Sequence, residues 1–176
     1  MATLSLYDTT IATSIHALKT LLDILKKAQT HPEASTLPQA RLFPDMFPLT
    51  AQILIVIKFC EQFVTHLTGR TVEESSASLH EEKTLEELIE LSEKTLALLE
   101  TVSRDEVDGT AVKTTTVHLI PYGDYNVTVE QFVLTYQLPN LYFHLVTAYD
   151  ILRMKGLDVG KRDYLKNFVA AWFPSL

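Results

Sequence analysis

The stretch that decides the fold is LTAQILIVIKFCEQFVTHLTG, Leu49 to Gly69. Its centre, Ile53 to Ile57, is rich in β-branched residues and taken alone reads as a buried strand. The apolar positions continue well beyond it. Leu49, Ile53, Val56, Cys60, Val64 and Leu67 follow one another at steps of three or four, the period of one helical face. The segment is therefore a helix. Asp45 is expected as its N-cap and Gly69 as its stop. Pro48 then falls in the first turn, where a missing N–H costs nothing.

On the N-terminal side, a first helix is expected from about Thr9 to Gln29, with Asp8 as N-cap and Pro32 past its end. Ile11, Ile15, Leu18, Leu22 and Leu25 make its inner face. On the C-terminal side, Arg70 to Lys83 is polar and acidic and long enough to cross a bundle from end to end. A third helix starts at a capping box, Thr84-Leu-Glu-Glu87. Leu85, Leu88, Ser92, Thr95, Leu99 and Val102 face inward there, and Glu86, Glu90, Glu93 and Glu100 form a solvent face.

The period changes after that. Lys113 to Ile120 is β-branched, Pro121 to Asp124 is a turn, and Asn126 to Val129 is extended, which reads as a short hairpin. A fourth helix is expected from about Glu130 to Lys155, ended by Gly156. Pro139 lies inside it and should kink or open it about one turn before His144. Tyr164, Leu165, Phe168, Val169, Trp172 and Phe173 form an amphipathic tail helix, which either caps the bundle or joins two chains as a homodimer. The fold class is all-α: a four-helix bundle with one long crossover, a small β-hairpin between helices three and four, and a short C-terminal helix.

At 176 residues this is one domain, 1–176, with 166–176 as a tail extension. Five glycines are too few for a loop-rich β architecture. The net charge of −7 argues against nucleic acid or an anionic membrane as partner. The lone Cys60 cannot form an internal disulfide and reads as a small buried hydrophobe. The first residues hold no basic region followed by an apolar block, and no apolar run reaches the roughly 18 residues of a membrane span. A cytoplasmic location is expected.

Three blocks carry a family resemblance. QARLFPDMFPLTAQ (Gln39 to Gln52) resembles A-R-L-x-P-D-M-x-P-L-x-x-Q. PNLYFHLVTAYDILRMKGLDVGKRDYL (Pro139 to Leu165) resembles P-N-x-x-F-H-x-x-x-A-Y-x-x-L-R-x-x-G-x-x-x-G-K-x-D-F-L. KKAQTH (Lys26 to His31) resembles K-A-x-x-H. Together they resemble a bacterial and fungal family filed as a domain of unknown function and related to the DinB-like four-helix bundles, over about residues 7 to 165. DinB-like proteins commonly hold a divalent metal through three histidines, two of them four apart on the last helix. Here Ala148 stands four residues after His144, and His66 lies away from the pattern, so a His₃ metal site is not expected.

The resemblance also implies a chemistry. Fungal members occur among natural-product pathway proteins, and one type resembles a chalcone isomerase, using histidine to close a chalcone to a flavanone by oxa-Michael addition. On that reading the protein is a cofactor-independent isomerase with a small aromatic substrate. The alternative is a non-catalytic or metal-dependent DinB-like small-molecule-binding protein.

An up-down-down-up bundle puts His31, Arg41, Asp45, Tyr149 and Arg153 at one end, with His144 one or two turns deeper. His31 and His144 are the candidate bases, because imidazole exchanges a proton near neutrality. Each also has a structural reading: His31 as a helix-end histidine, His144 as a core histidine bonded to Asn140 or a backbone carbonyl. Asp45 would orient His31, or else pair with Arg41 to fix a turn. Tyr149 and Arg153 would donate to a developing enolate. Arg41, Asn140, Phe47 and Phe143 complete the expected substrate contacts, the aromatic rings walling a flat ligand.

Overall fold

The computed structural model describes residues 5–73, 75, 78–110, 113–119 and 121–172. Helix α1 spans Thr13–Ala28, continuing a π-helical turn at Asp8–Ala12. Asp8 is not the N-cap expected of it. The cap lies three residues earlier: Asp8 N–H donates to Ser5 Oγ at 3.2 Å, and Ser5 N–H donates back to the Asp8 carboxylate at 3.3 Å. This is a capping box displaced by one turn. Arg104 grips the same carboxylate at 2.6 and 2.8 Å and holds its pKa well below the usual carboxylate range.

Helix α2 spans Leu49–Thr68, three residues later than an Asp45 cap would place its start, and Pro48 is its N-cap rather than part of its first turn. The α region is disfavoured for the residue before a proline, and Pro48 itself sits extended at φ −69°, ψ 166°, so the helix begins at Leu49. Leu49 N–H is tied to Ala40 O at 2.8 Å. Gly69 ends the helix at φ 75°, as expected of it. The run Ile53 to Ile57 is buried on every side, which is why its pattern reads ambiguously.

Helix α3 spans Leu85–Glu100 and opens on the expected capping box, Thr84 with Glu87. A short helix α4, Arg104–Asp108, follows. Strands β1 (Thr114–Leu119) and β2 (Gly123–Thr128) pair antiparallel, Thr114 opposite Thr128 and Leu119 opposite Gly123. Then α5 (Val129–Phe132), a π turn at Val133–Gln137 and α6 (Leu138–Met154) run on as one helix, since the residues at both junctions stay helical. Pro139 cannot donate to the carbonyl four residues back, and the wider π turn carries the ladder past that gap. Gly156 follows at φ 89°. Helix α7 spans Lys161–Val169. The expected strand end Ile120 and tail residue Phe173 lie outside the described residues.

Helix directions follow from paired side chains. Lys19–Glu100 (3.0 Å) and Lys26–Glu93 (2.6 Å) make α1 and α3 antiparallel. Arg70, just past the end of α2, bonds Thr101 and Glu106 beyond the end of α3, so α2 and α3 are parallel. The order is up-down-down-up, and the segment after Gly69 therefore runs back along the bundle. Glu61, 3 % exposed, pins it by accepting from Ser75 N–H and Oγ. The core is filled by Leu18, Leu21 and Leu25 of α1, Ile53, Phe63 and Leu67 of α2, Leu88 and Leu99 of α3, and Leu141, Leu145 and Ile151 of α6. Cys60 is wholly buried, and burial pushes its thiol pKa strongly up. Among the described residues no helix is long and apolar enough to cross a membrane.

Helix α7 settles along α1 of its own chain. Thr20 Oγ1 donates to Tyr164 O at 3.1 Å, Asn167 Nδ2 to Asp23 at 2.9 Å, and Phe168 packs toward His16 and Tyr142.

Candidate functional site

The two long sequence blocks are joined by one hydrogen bond. Gln52 closes the first block and His144 belongs to the second; His144 Nδ1 and Gln52 Oε1 are 2.7 Å apart across the α2/α6 seam. Gln52 is 2 % exposed and its amide has one orientation available. Its Nε2 donates to Phe47 O at 3.1 Å, so its Oε1 must face the imidazole. His144 Nδ1 therefore carries the proton and Nε2 keeps its lone pair. The ring lies near-parallel to Phe59 at 6.4 Å and edge-on to Phe143 at 5.2 Å. Burial lowers the His144 pKa to about 4, so at neutral pH the ring is an uncharged acceptor among aromatic faces.

Asn140 lies one turn earlier on α6. Its Nδ2 donates to Tyr136 O at 2.7 Å beside Pro139, rather than to His144. Phe143 is 58 % exposed and stands at the edge of the seam.

The other expected residues go elsewhere. The K-A-x-x-H block meets the end of the long C-terminal block. Lys27 bonds Asp158 O and lies 3.5 Å from Asp163, and a Cβ on Gly156 would stand 3.9 Å from His31 Nε2. His31 Nδ1 accepts from Glu33 N–H at 3.1 Å. Tyr149 OH reaches Val159 O at 3.5 Å and Arg153 donates to Leu157 O at 3.3 Å. Asp163 accepts from Gly160 N–H at 2.8 Å; burial works to raise its pKa, but this bond and Lys27 bring it down overall. These contacts clamp the 156–160 turn onto the end of α1. They form a structural joint, and no described hydrogen bond links His31 to Asp45.

Arg41, Asp45 and Phe47 line a third place, a cleft of about 200 Å³ shared with His80. Arg41 donates to Met46 O, so the Arg41–Asp45 ion pair considered from sequence does not form. The Phe47 ring is edge-on to His80 at 6.4 Å, and only its carbonyl reaches the Gln52 network.

Sequence reasoning missed the other end of the α2/α6 seam. Gln137, wholly buried in the π turn, donates through Nε2 to Gln62 Oε1 at 3.3 Å and faces His66 Nδ1 at 3.3 Å. His66 stands edge-on to Phe132 at 5.2 Å, and burial lowers its pKa. Phe132, Tyr136 and Phe59 join this end to His144 through successive ring contacts. The signal was available: Gln137 stands seven residues before His144, two turns away on the same helix face.

A three-histidine metal site does not fit this donor set. The neighbours of the His144 ring are an amide and two phenyl rings, and the described residues contain no group of three His, Cys, Asp or Glu able to share an ion.

Two long parallel helices flanked by two antiparallel ones, joined by a crossover and bearing a polar seam, define a DinB-like helical bundle. A solved structure described as a DinB family member from Shewanella denitrificans is similar to this chain, with a TM-score of 0.75, 31 % identity and 91 % of each chain covered. The model of the DUF1993 family, a domain of unknown function, matches residues 6–165, and the chain belongs to that family. No curated protein is a significant match.

Proposed function

We propose that the α2/α6 seam at Gln52–His144 binds a flat phenolic molecule and that His144 Nε2 acts as a base in a cofactor-independent ring closure, converting a chalcone to a flavanone. The observation that carries this reading is the Gln52 hydrogen bond, which leaves a neutral imidazole with a free Nε2 lone pair beside Phe59 and Phe143. In the step, Nε2 takes the phenolic proton as the phenolate oxygen bonds the β-carbon of the enone. The electron pair moves to the enone oxygen, and the imidazolium returns the proton to the α-carbon. The product is an isomer, and no other reactant is needed. Gln52 is a positioning residue: a hydrogen bond held at Nδ1 stabilises the imidazolium when it forms.

A second reading, binding without turnover, is favoured by the weak basicity of His144. A ring with a pKa near 4 accepts a hydrogen bond from a phenol more readily than it takes the proton. Chelator-treated protein mixed with 2′-hydroxychalcone separates the two. Loss of the chalcone absorption with one flavanone enantiomer in excess is the expected result. A racemic product at the buffer rate overturns the cyclase reading, and saturable binding at that rate supports the second.

A further inference from the structure

We infer that the buried cluster of Gln137, Gln62 and His66 is a second anchoring point for the ligand held at His144, so that the seam takes an elongated, uncharged aromatic with a hydroxyl at each end. The inference rests on the reading proposed above and adds the class of ligand.

Three observations carry it. First, Gln137 Oε1 is wholly buried and has no hydrogen-bond partner, although its own Nε2 is held in place by Gln62 and faces His66. An unpaired buried acceptor costs about 1–3 kcal/mol and calls for a donor. Second, the polar groups along the seam are amides and neutral imidazoles. Gln52, Gln62, His66, Gln137 and His144 include no carboxylate, ammonium or guanidinium, which selects against a charged ligand. Third, the two ends are bridged by aromatic rings. Phe59 stacks with His144 on one side and meets Tyr136 edge-on at 6.3 Å on the other. Gln137 and His144 are seven residues apart, roughly 10 Å along the helix at 1.5 Å per residue. A ligand that spans them offers one hydroxyl to His144 Nε2 and another to Gln137 Oε1, with its rings against Phe59. Tyr136, 39 % exposed, is the side chain that must swing aside to admit it.

The test compares two dihydrochalcones, whose saturated link cannot cyclise: 2′-hydroxydihydrochalcone and 2′,4-dihydroxydihydrochalcone. Calorimetry on the full chain should show the dihydroxy probe binding about ten-fold tighter, the effect of one well-made hydrogen bond. Gln137→Met should lose that gain while binding the monohydroxy probe as before. Should Gln137→Met not fold, Gln62→Met, at a half-buried position whose loss releases the Gln137 amide, carries the same expectation. Equal affinity for both probes in the wild type overturns the second anchor and leaves the His144 site standing; an internal water then satisfies Gln137. A gain that survives both variants also overturns it. Binding of neither probe overturns it together with the reading beneath it.

Discussion

Among single residues, Gln52 decides what His144 can do. Without it either ring nitrogen could carry the proton; with it, Nδ1 does. Gln52→Leu should leave both tautomers populated in the ¹⁵N spectrum of the imidazole and lower any turnover. Gln52→Glu should instead raise the His144 pKa, because a carboxylate favours the imidazolium. His144 also carries a pH signature. Its folded pKa, about 4, lies below the unfolded value of 6.5, so between those values the unfolded chain binds more protons. Stability is therefore full above pH 6.5 and falls as the pH drops toward 4, by on the order of 2 kcal/mol after discounting for its partial exposure. Urea denaturation at pH 7 and pH 4.5 should show that loss, reduced in His144→Gln; an equal loss in the variant would remove His144 as its source.

Among the elements, the helix holding Pro139 and α7 matter most. Pro139 is expected from sequence to open its helix, and the opening takes the form of a π turn that buries Gln137. The proline predicts a disturbance, but not which side chain it turns inward, because that depends on packing against Gln62 and His66 from α2. Helix α7 packs on α1 and α6 through Tyr164 and Phe168. Truncation before Arg162 should uncover Tyr142 and Tyr149 and lower the melting temperature by about 4–8 °C, as expected from losing about 2 kcal/mol of apolar burial in a domain of this size. An unchanged melting temperature together with dissociation of a dimer would mean that the tail joins chains instead.

For the whole molecule, the four long helices, their order and the crossover were legible, because each carries a continuous apolar stripe, whereas the five-residue α4 is too short to show one and the cap of α1 lies at Ser5 rather than Asp8. The start of α2 was less so, since the Phe47–Pro48 step outweighs the capping tendency of Asp45. The grouping of the candidate residues was half legible. His144, Asn140 and Phe143 stand on the seam, while His31, Tyr149 and Arg153 hold the 156–160 turn and Arg41, Asp45 and Phe47 line the His80 cleft. Topology brings these residues to one end of the bundle, but only side-chain geometry separates them. The division makes a further prediction. Phe63→Ala, deep in the core, should cost about 3–5 kcal/mol in denaturant melts. Phe143→Ala, largely exposed, should cost under about 1 kcal/mol yet weaken ligand binding several-fold.

The most direct test of the His144 seam is the ¹⁵N imidazole spectrum of the full chain during titration with 2′-hydroxydihydrochalcone. The His144 Nε2 resonance is expected to move as it accepts the phenolic hydrogen bond, while its protonated Nδ1 and both nitrogens of His31 stay in place. A saturable shift at His31 with none at His144 would contradict the His144 site and move binding to the joint that the 156–160 turn makes with the end of α1.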